Sequence, residues 1–144
     1  MNPTYEQWLA ALCVWREARG QAFAAKLGVW WVIKNRVAAA PRWPASIAGV
    51  ILQHEQFSSF NANDPNVTRF PVPPIGTATP SGDWQAFAES LSAVGADGMA
   101  DPTKGATFYE SYPVAELAAV RAKMPWFAEA NLMAHIGTIR FYKS

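Results

Sequence analysis

Between Ala22 and Val37 apolar side chains fall on nearly every face of a helical wheel: Phe23, Leu27, Val29, Trp30, Trp31, Val32, Ile33 and Val37. A helix without a polar face is buried at the centre of its domain, so the rest of the chain must pack around this one. With 144 residues, 51% of them hydrophobic, there is material for one core and no second domain, and residues 1–144 are read as a single unit. The most apolar part, Leu27 to Ile33, lies between Lys26 and Lys34 and is far shorter than the ~20 residues of a membrane span.

Other elements follow from local signals. Thr4 and Gln7 have the spacing of a capping box, which starts a helix at about Tyr5. Trp8, Leu12 and Trp15 then recur on one face, with Leu9 beside them, and Gly20 ends the helix. Glu17 falls in its last turn, where the helix dipole raises a carboxylate's pKa. Pro41 and Pro44 interrupt the pattern before Ser46, which can cap a short helix through Ile47 and Leu52. Gln53 to Gly82 is rich in Pro, Asn, Ser, Thr and Gly and shows no helical period, so it reads as a long loop able to wall a cleft. Asp83 is the expected cap of a helix burying Trp84, Phe87, Ala88, Leu91 and Val94, closed by Gly95 or Gly98. A turn from Asp101 leads into an extended segment at Tyr109; a helix near Val114 to Met124 and a strand from Ile136 to Tyr142 complete a mainly α fold with a small β region, α+β in class.

Charge and residue types narrow the chemistry. Twelve Lys+Arg against eleven Asp+Glu give no field of one sign, which argues against nucleic acid as the main partner. Cys13 is single and lies among apolar residues, so it reads as core. Only His54 and His135 are present, with no HExxH motif and no Cys/His cluster, so neither a metal nor any other cofactor is expected, and a zinc amidase is disfavoured. No G-x-S-x-G elbow or phosphate-binding loop appears. The amino terminus has neither a basic start nor an apolar stretch, so it does not resemble a secretory signal and synthesis in the cytoplasm is expected.

Carboxylate chemistry remains. Glu6, Glu89, Glu110, Glu116 and Glu129 read as surface positions, Asp83 as a cap, and Asp64 as a turn residue before Pro65. Glu17 stands at the edge of the most apolar half of the chain, the surroundings an acid needs to stay protonated near neutral pH. Spacing also permits a surface ion pair with Arg16, Arg19 or Arg36 and, taken alone, leans toward it.

The segment Trp15-Arg16-Glu17-Ala18-Arg19-Gly20 resembles the start of the SleB-like cell-wall hydrolase family. The resemblance continues in order through Val32-Ile33-Lys34-Asn35-Arg36-Val37, Val50-Ile51-Leu52-Gln53, Gln56-Phe57-Ser58, Asp101-Pro102-Thr103-Lys104-Gly105-Ala106-Thr107, and Ile136-Gly137 with Phe141-Tyr142. Blocks in the right order are far more specific than any one of them. Thr138 and Ile139 stand where the family often has Asn-His.

The resemblance implies a lysozyme-like fold, peptidoglycan glycan strands as substrate, and Glu17 as the catalytic acid of a lytic transglycosylase that leaves 1,6-anhydro-N-acetylmuramic acid ends. Gln56 and Ser58 are then candidates to hydrogen-bond the sugar N-acetyl groups, Phe57 to stack on a ring or fill the core, and Tyr109 to line the cleft. Asp101 is the candidate second carboxylate should the reaction be hydrolysis, against a turn-forming role ahead of Pro102. The competing readings are a muramidase-type hydrolase, an N-acetylmuramoyl-L-alanine amidase, and an inactive peptidoglycan-binding or virion module. The resemblance implies action at the bacterial cell wall, reached by an unspecified route; a phage or prophage endolysin, a lytic part carried in a virion and an exported enzyme trimmed of its leader suit the chain equally, with a monomer as the default.

Overall fold

Helix α1 (Tyr5–Ala18) begins at the expected capping box: Thr4 Oγ1 accepts from the Gln7 amide at 3.2 Å, and the Gln7 side chain accepts from the Thr4 amide at 2.8 Å. The computed structural model describes residues 2–53, 56–76, 81–96 and 98–144. Helix α2 (Phe23–Ala38) lies at the centre, with Leu27, Val29, Trp30, Val32 and Ile33 buried, as its lack of a polar face requires. Helices α1, α3 (Ile47–Leu52) and α4 (Gly82–Val94) pack around it, and α1 also packs against α3 and α4. On α1, Ala10, Ala11, Cys13, Val14 and Trp15 are fully buried, and Trp8 stacks on Phe87 of α4 with ring centroids 5.3 Å apart. Lys26 of α2, 2% exposed, reaches Glu89 of α4 at 3.3 Å.

Helix α4 is capped by Ser81 rather than Asp83: Ser81 Oγ accepts from the Trp84 amide at 3.1 Å, and Asp83 lies in the first turn, where its charge meets the positive end of the dipole. Phe87 and Val94 face inward and Gly95 closes the helix as expected, but Ala88 is exposed. The expected carboxy-terminal helix is a short 3₁₀ turn, Val114–Glu116, leading into α5 (Leu117–Lys123).

The expected last strand divides into a hairpin. Strands β2 (Leu132–Ile136) and β3 (Ile139–Tyr142) meet at Gly137 and Thr138, and β1 (Phe108–Glu110) joins the other edge of β3 in an antiparallel sheet of order β1-β3-β2. Gly137 takes φ +60, where side chains are strained, and a Cβ there would lie 2.5 Å from Gln21 Oε1. Gln21 closes the turn, donating to Thr138 Oγ1 at 2.8 Å and accepting from the Thr138 amide at 3.3 Å. Thr138 is therefore a turn residue, and Ile139 is core. The sheet sits on α2 at Gly28, where a Cβ would come within 2.6 Å of Phe141 Cζ. Its register sets Tyr109 opposite Phe141 and Glu110 opposite Arg140.

Most of the expected long loop is organised by backbone turns and a 3₁₀ turn at Ser58–Phe60; within it Asp64 accepts from the Asn66 amide at 2.7 Å, the turn role expected of it. His54 lies outside the described residues. Among those described, no helix is long and apolar enough to cross a membrane.

Candidate active site

The last turn of α1, the segment after α3 and strand β1 converge on a cleft of about 680 Å³, within the range of ligand-binding clefts. Glu17 lines it together with the polar residues Gln53, Gln56 and Ser58 and the aromatic residues Trp43, Phe108, Tyr109 and Trp126. The aromatic wall is continuous: Phe108 meets Trp43 edge-on at 5.6 Å and stacks with Trp126 at 5.7 Å. Flat aromatic faces beside amide and hydroxyl groups suit a sugar, whose ring faces are apolar and whose rim is polar.

The Glu17 carboxyl is enclosed. Its Oε1 accepts from Ser59 Oγ at 3.0 Å. Burial pushes its pKa up and the charge of Asp64 adds to the rise, while hydrogen bonds from Ser59 and Tyr109 pull the other way; the net shift is upward. Burial is the largest cause of that upward shift. Among the described residues no Lys or Arg nitrogen forms an ion pair with it, so the surface-pair reading fails. Arg16 donates to backbone carbonyls instead, and Arg36 donates from Nε to the Thr107 carbonyl and from Nη1 to Gln56 Oε1 at 3.5 Å.

The remaining sequence candidates separate. Gln56 and Ser58 are exposed and line the cleft, as does Tyr109, whose hydroxyl burial and the nearby Glu17 and Cys13 push well above the usual phenol range, so it stays a neutral group. Phe57, 1% exposed, does not line the cleft; it is core beneath it, 6.3 Å from the Tyr109 ring. Asp101 also lies off the cleft. Its Oδ1 accepts from the amide and hydroxyl of Thr103 at 2.8 and 2.6 Å, and its Oδ2 from the Gly105 amide at 2.9 Å and Asn35 Nδ2 at 3.0 Å. Burial alone would raise its pKa, but these bonds outweigh it and hold the carboxyl below the ordinary range, as a fixed anion organising a turn.

Glu110, read from sequence as a surface residue, is 4% exposed and bound to Arg140 at 2.7 Å. A three-residue strand gives too short an alternation to tell its inward from its outward face. Sequence reasoning also missed Ser59, which directly follows the candidate Ser58, and Arg36, 4% exposed, whose Nε donates to the Thr107 carbonyl at 2.7 Å with its guanidinium among the rings of Trp43, Phe57 and Phe108. The Asn35-Arg36-Val37 block pointed to Arg36; nothing local pointed to Trp43 or Trp126. Among the described residues no group of three His, Cys, Asp or Glu side chains is placed to hold a metal.

The model of the Cell Wall Hydrolase family matches residues 20–142, a span that begins just after Glu17. Among solved structures, the catalytic domain of the Bacillus cereus SleB protein superposes with a TM-score of 0.62 at 24% identity, covering 96% of this chain and 89% of that one. The catalytic domain of the germination-specific lytic transglycosylase SleB from Bacillus anthracis gives the same TM-score at 23% identity, covering 99% of this chain and 97% of that one. These likenesses establish the α+β, lysozyme-like fold. Nothing among curated proteins matches the chain significantly. With 20–142 of its 144 residues matched by one model, the chain belongs to the cell wall hydrolase family, whose work is the breakdown of peptidoglycan.

Proposed function

We propose that the protein cleaves peptidoglycan glycan strands as a lytic transglycosylase, with Glu17 as its single catalytic acid/base. The observation that carries this reading is the state of the carboxyls. Glu17 lines the cleft, largely buried and with its pKa raised, and the other carboxylate among the described lining residues, Glu110, is bound to Arg140 at 2.7 Å. A glycosidase that activates water or forms a covalent intermediate needs a second free carboxylate roughly 5–9.5 Å from the acid. Transglycosylation needs none.

In the proposed reaction, protonated Glu17 gives its proton to the glycosidic oxygen that follows N-acetylmuramic acid, and the bond from that oxygen to C1 breaks. Glu17, now a carboxylate, takes the proton of the same sugar's C6 hydroxyl as that oxygen bonds to C1, closing a 1,6-anhydro ring. The proton lent in the first half is recovered in the second, and no water is consumed. The nucleophile is carried by the substrate, so proximity replaces an activated water. Gln56 and Ser58 would bond the N-acetyl groups, while Tyr109 would border the reacting sugar from the aromatic wall.

The test is release of soluble fragments from purified peptidoglycan by the protein and by Glu17→Gln. The amide keeps the volume but cannot cycle a proton, so the rate should fall about 10²–10⁴-fold with the fold intact. Near-full activity in the variant would refute the assignment.

A further inference from the structure

Arg16 adjoins the proposed acid in sequence yet points away from the cleft, and its surroundings are unusually complete for an arginine. It is 7% exposed. Its Nε and Nη2 donate to the Arg69 carbonyl at 3.1 and 3.0 Å, Nη2 also to the Val67 carbonyl at 3.0 Å, and Nη1 to the Ser59 carbonyl at 3.3 Å. The rings of Phe60 and Phe70 lie 4.7 and 5.0 Å from its Cζ. One guanidinium thus gathers both ends of the 59–69 segment onto α1. The first residue of that segment is Ser59, 2% exposed, whose hydroxyl donates to Glu17 Oε1 at 3.0 Å.

We propose that Arg16 and Ser59 are positioning residues for Glu17: Arg16 clamps the 59–69 segment to α1, and the clamped segment delivers the Ser59 hydroxyl to Oε1 of the carboxyl. This rests on the reading of Glu17 as the acid and extends it to residues one step from the substrate. A fork of five donors in a plane can hold several carbonyls at once; an ammonium of the same charge cannot reproduce that geometry. Consecutive residues on α1 therefore divide the work, Arg16 fixing the wall and Glu17 using the hydroxyl that the wall presents.

The charged and titratable groups facing Glu17 are Cys13 and Arg16 on its own helix, Asp64 in the clamped segment, Tyr109 on β1 and Arg36 on α2. Ser59 favours the ionised carboxyl by donating to it, so losing that bond should raise the Glu17 pKa.

The test is a carbon NMR titration of the Glu17 carboxyl in the folded protein, assigned by its absence in Glu17→Gln, alongside the pH profile of glycan-strand cleavage. Ser59→Ala should move the titration and the alkaline limb of kcat to higher pH and lower kcat about tenfold, with KM nearly unchanged. Ser59→Thr, which keeps the hydroxyl, should restore the wild-type titration. Arg16→Lys keeps the charge, so it should move the limb in the same direction only through the lost clamp, and adding it to Ser59→Ala should produce no further shift. An unmoved titration in Ser59→Ala, or independent additive shifts from Arg16→Lys and Ser59→Ala, would overturn the proposal. Because the titration is read without substrate, a protein inactive on peptidoglycan would sink the proposed reaction while the carboxyl still judged the relay.

Discussion

At the scale of single residues, Glu17 shows how burial and function oppose each other. A carboxyl whose pKa is raised by burial binds a proton more tightly in the folded than in the unfolded protein. Between the ordinary carboxylate pKa and the raised one, the folded state carries the extra proton, so stability falls as pH rises through that window and stays at the lower level above it. Glu17→Gln removes this penalty. Thermal melts should therefore show the variant a few degrees more stable than wild type near neutral pH, with the difference vanishing below about pH 4. A variant less stable than wild type at pH 7 would contradict the enclosed, pKa-raised carboxyl. The residue's role was only half legible beforehand: the apolar flank pointed to a protonated acid, but the Ser59 partner comes from 42 positions away and no spacing reveals it.

At the scale of elements, local signals served where local forces decide. The Thr4–Gln7 box and the all-round apolar α2 are written in neighbouring residues, and both elements form as read. Ser81 and Asp83 are both good caps two residues apart, and pattern alone could not choose between them. The β2–β3 hairpin was missed because its turn depends on Gln21, a residue at the other end of the chain. Glu110 was misread for the same kind of reason, since only the sheet register brings Arg140 opposite it. That pair, with side chains 1% and 11% exposed, ties β1 to β3 beneath the aromatic wall. Glu110→Ala leaves a buried guanidinium without its carboxylate and should cost about 3–5 kcal/mol, measured by denaturant unfolding. A loss below about 1 kcal/mol would mean that the pair behaves as an exposed one.

At the scale of the whole molecule, three elements distant in sequence build one cleft: α1 brings the acid, the segment after α3 the polar wall, and β1 the aromatic wall. The order of the motif blocks foretold that these segments belong together, but not that Phe57 would fall beneath the cleft or Asp101 outside it. The chemistry proposed for the cleft uses protons only, and no metal-holding group is assembled among the described residues. EDTA should accordingly leave the rate of fragment release unchanged; inhibition reversed by added zinc would favour an amidase.

The central claim is that Glu17 works without a second carboxylate, and the product records this directly. Glycan fragments released from purified peptidoglycan should be analysed by mass spectrometry. If the C6 hydroxyl closes on C1, the fragments end in 1,6-anhydro-N-acetylmuramic acid and are each lighter by one water than a reducing-end fragment of the same composition. Fragments carrying only reducing ends would contradict the account, because water would then have been the nucleophile and a second group must have activated it or the sugar.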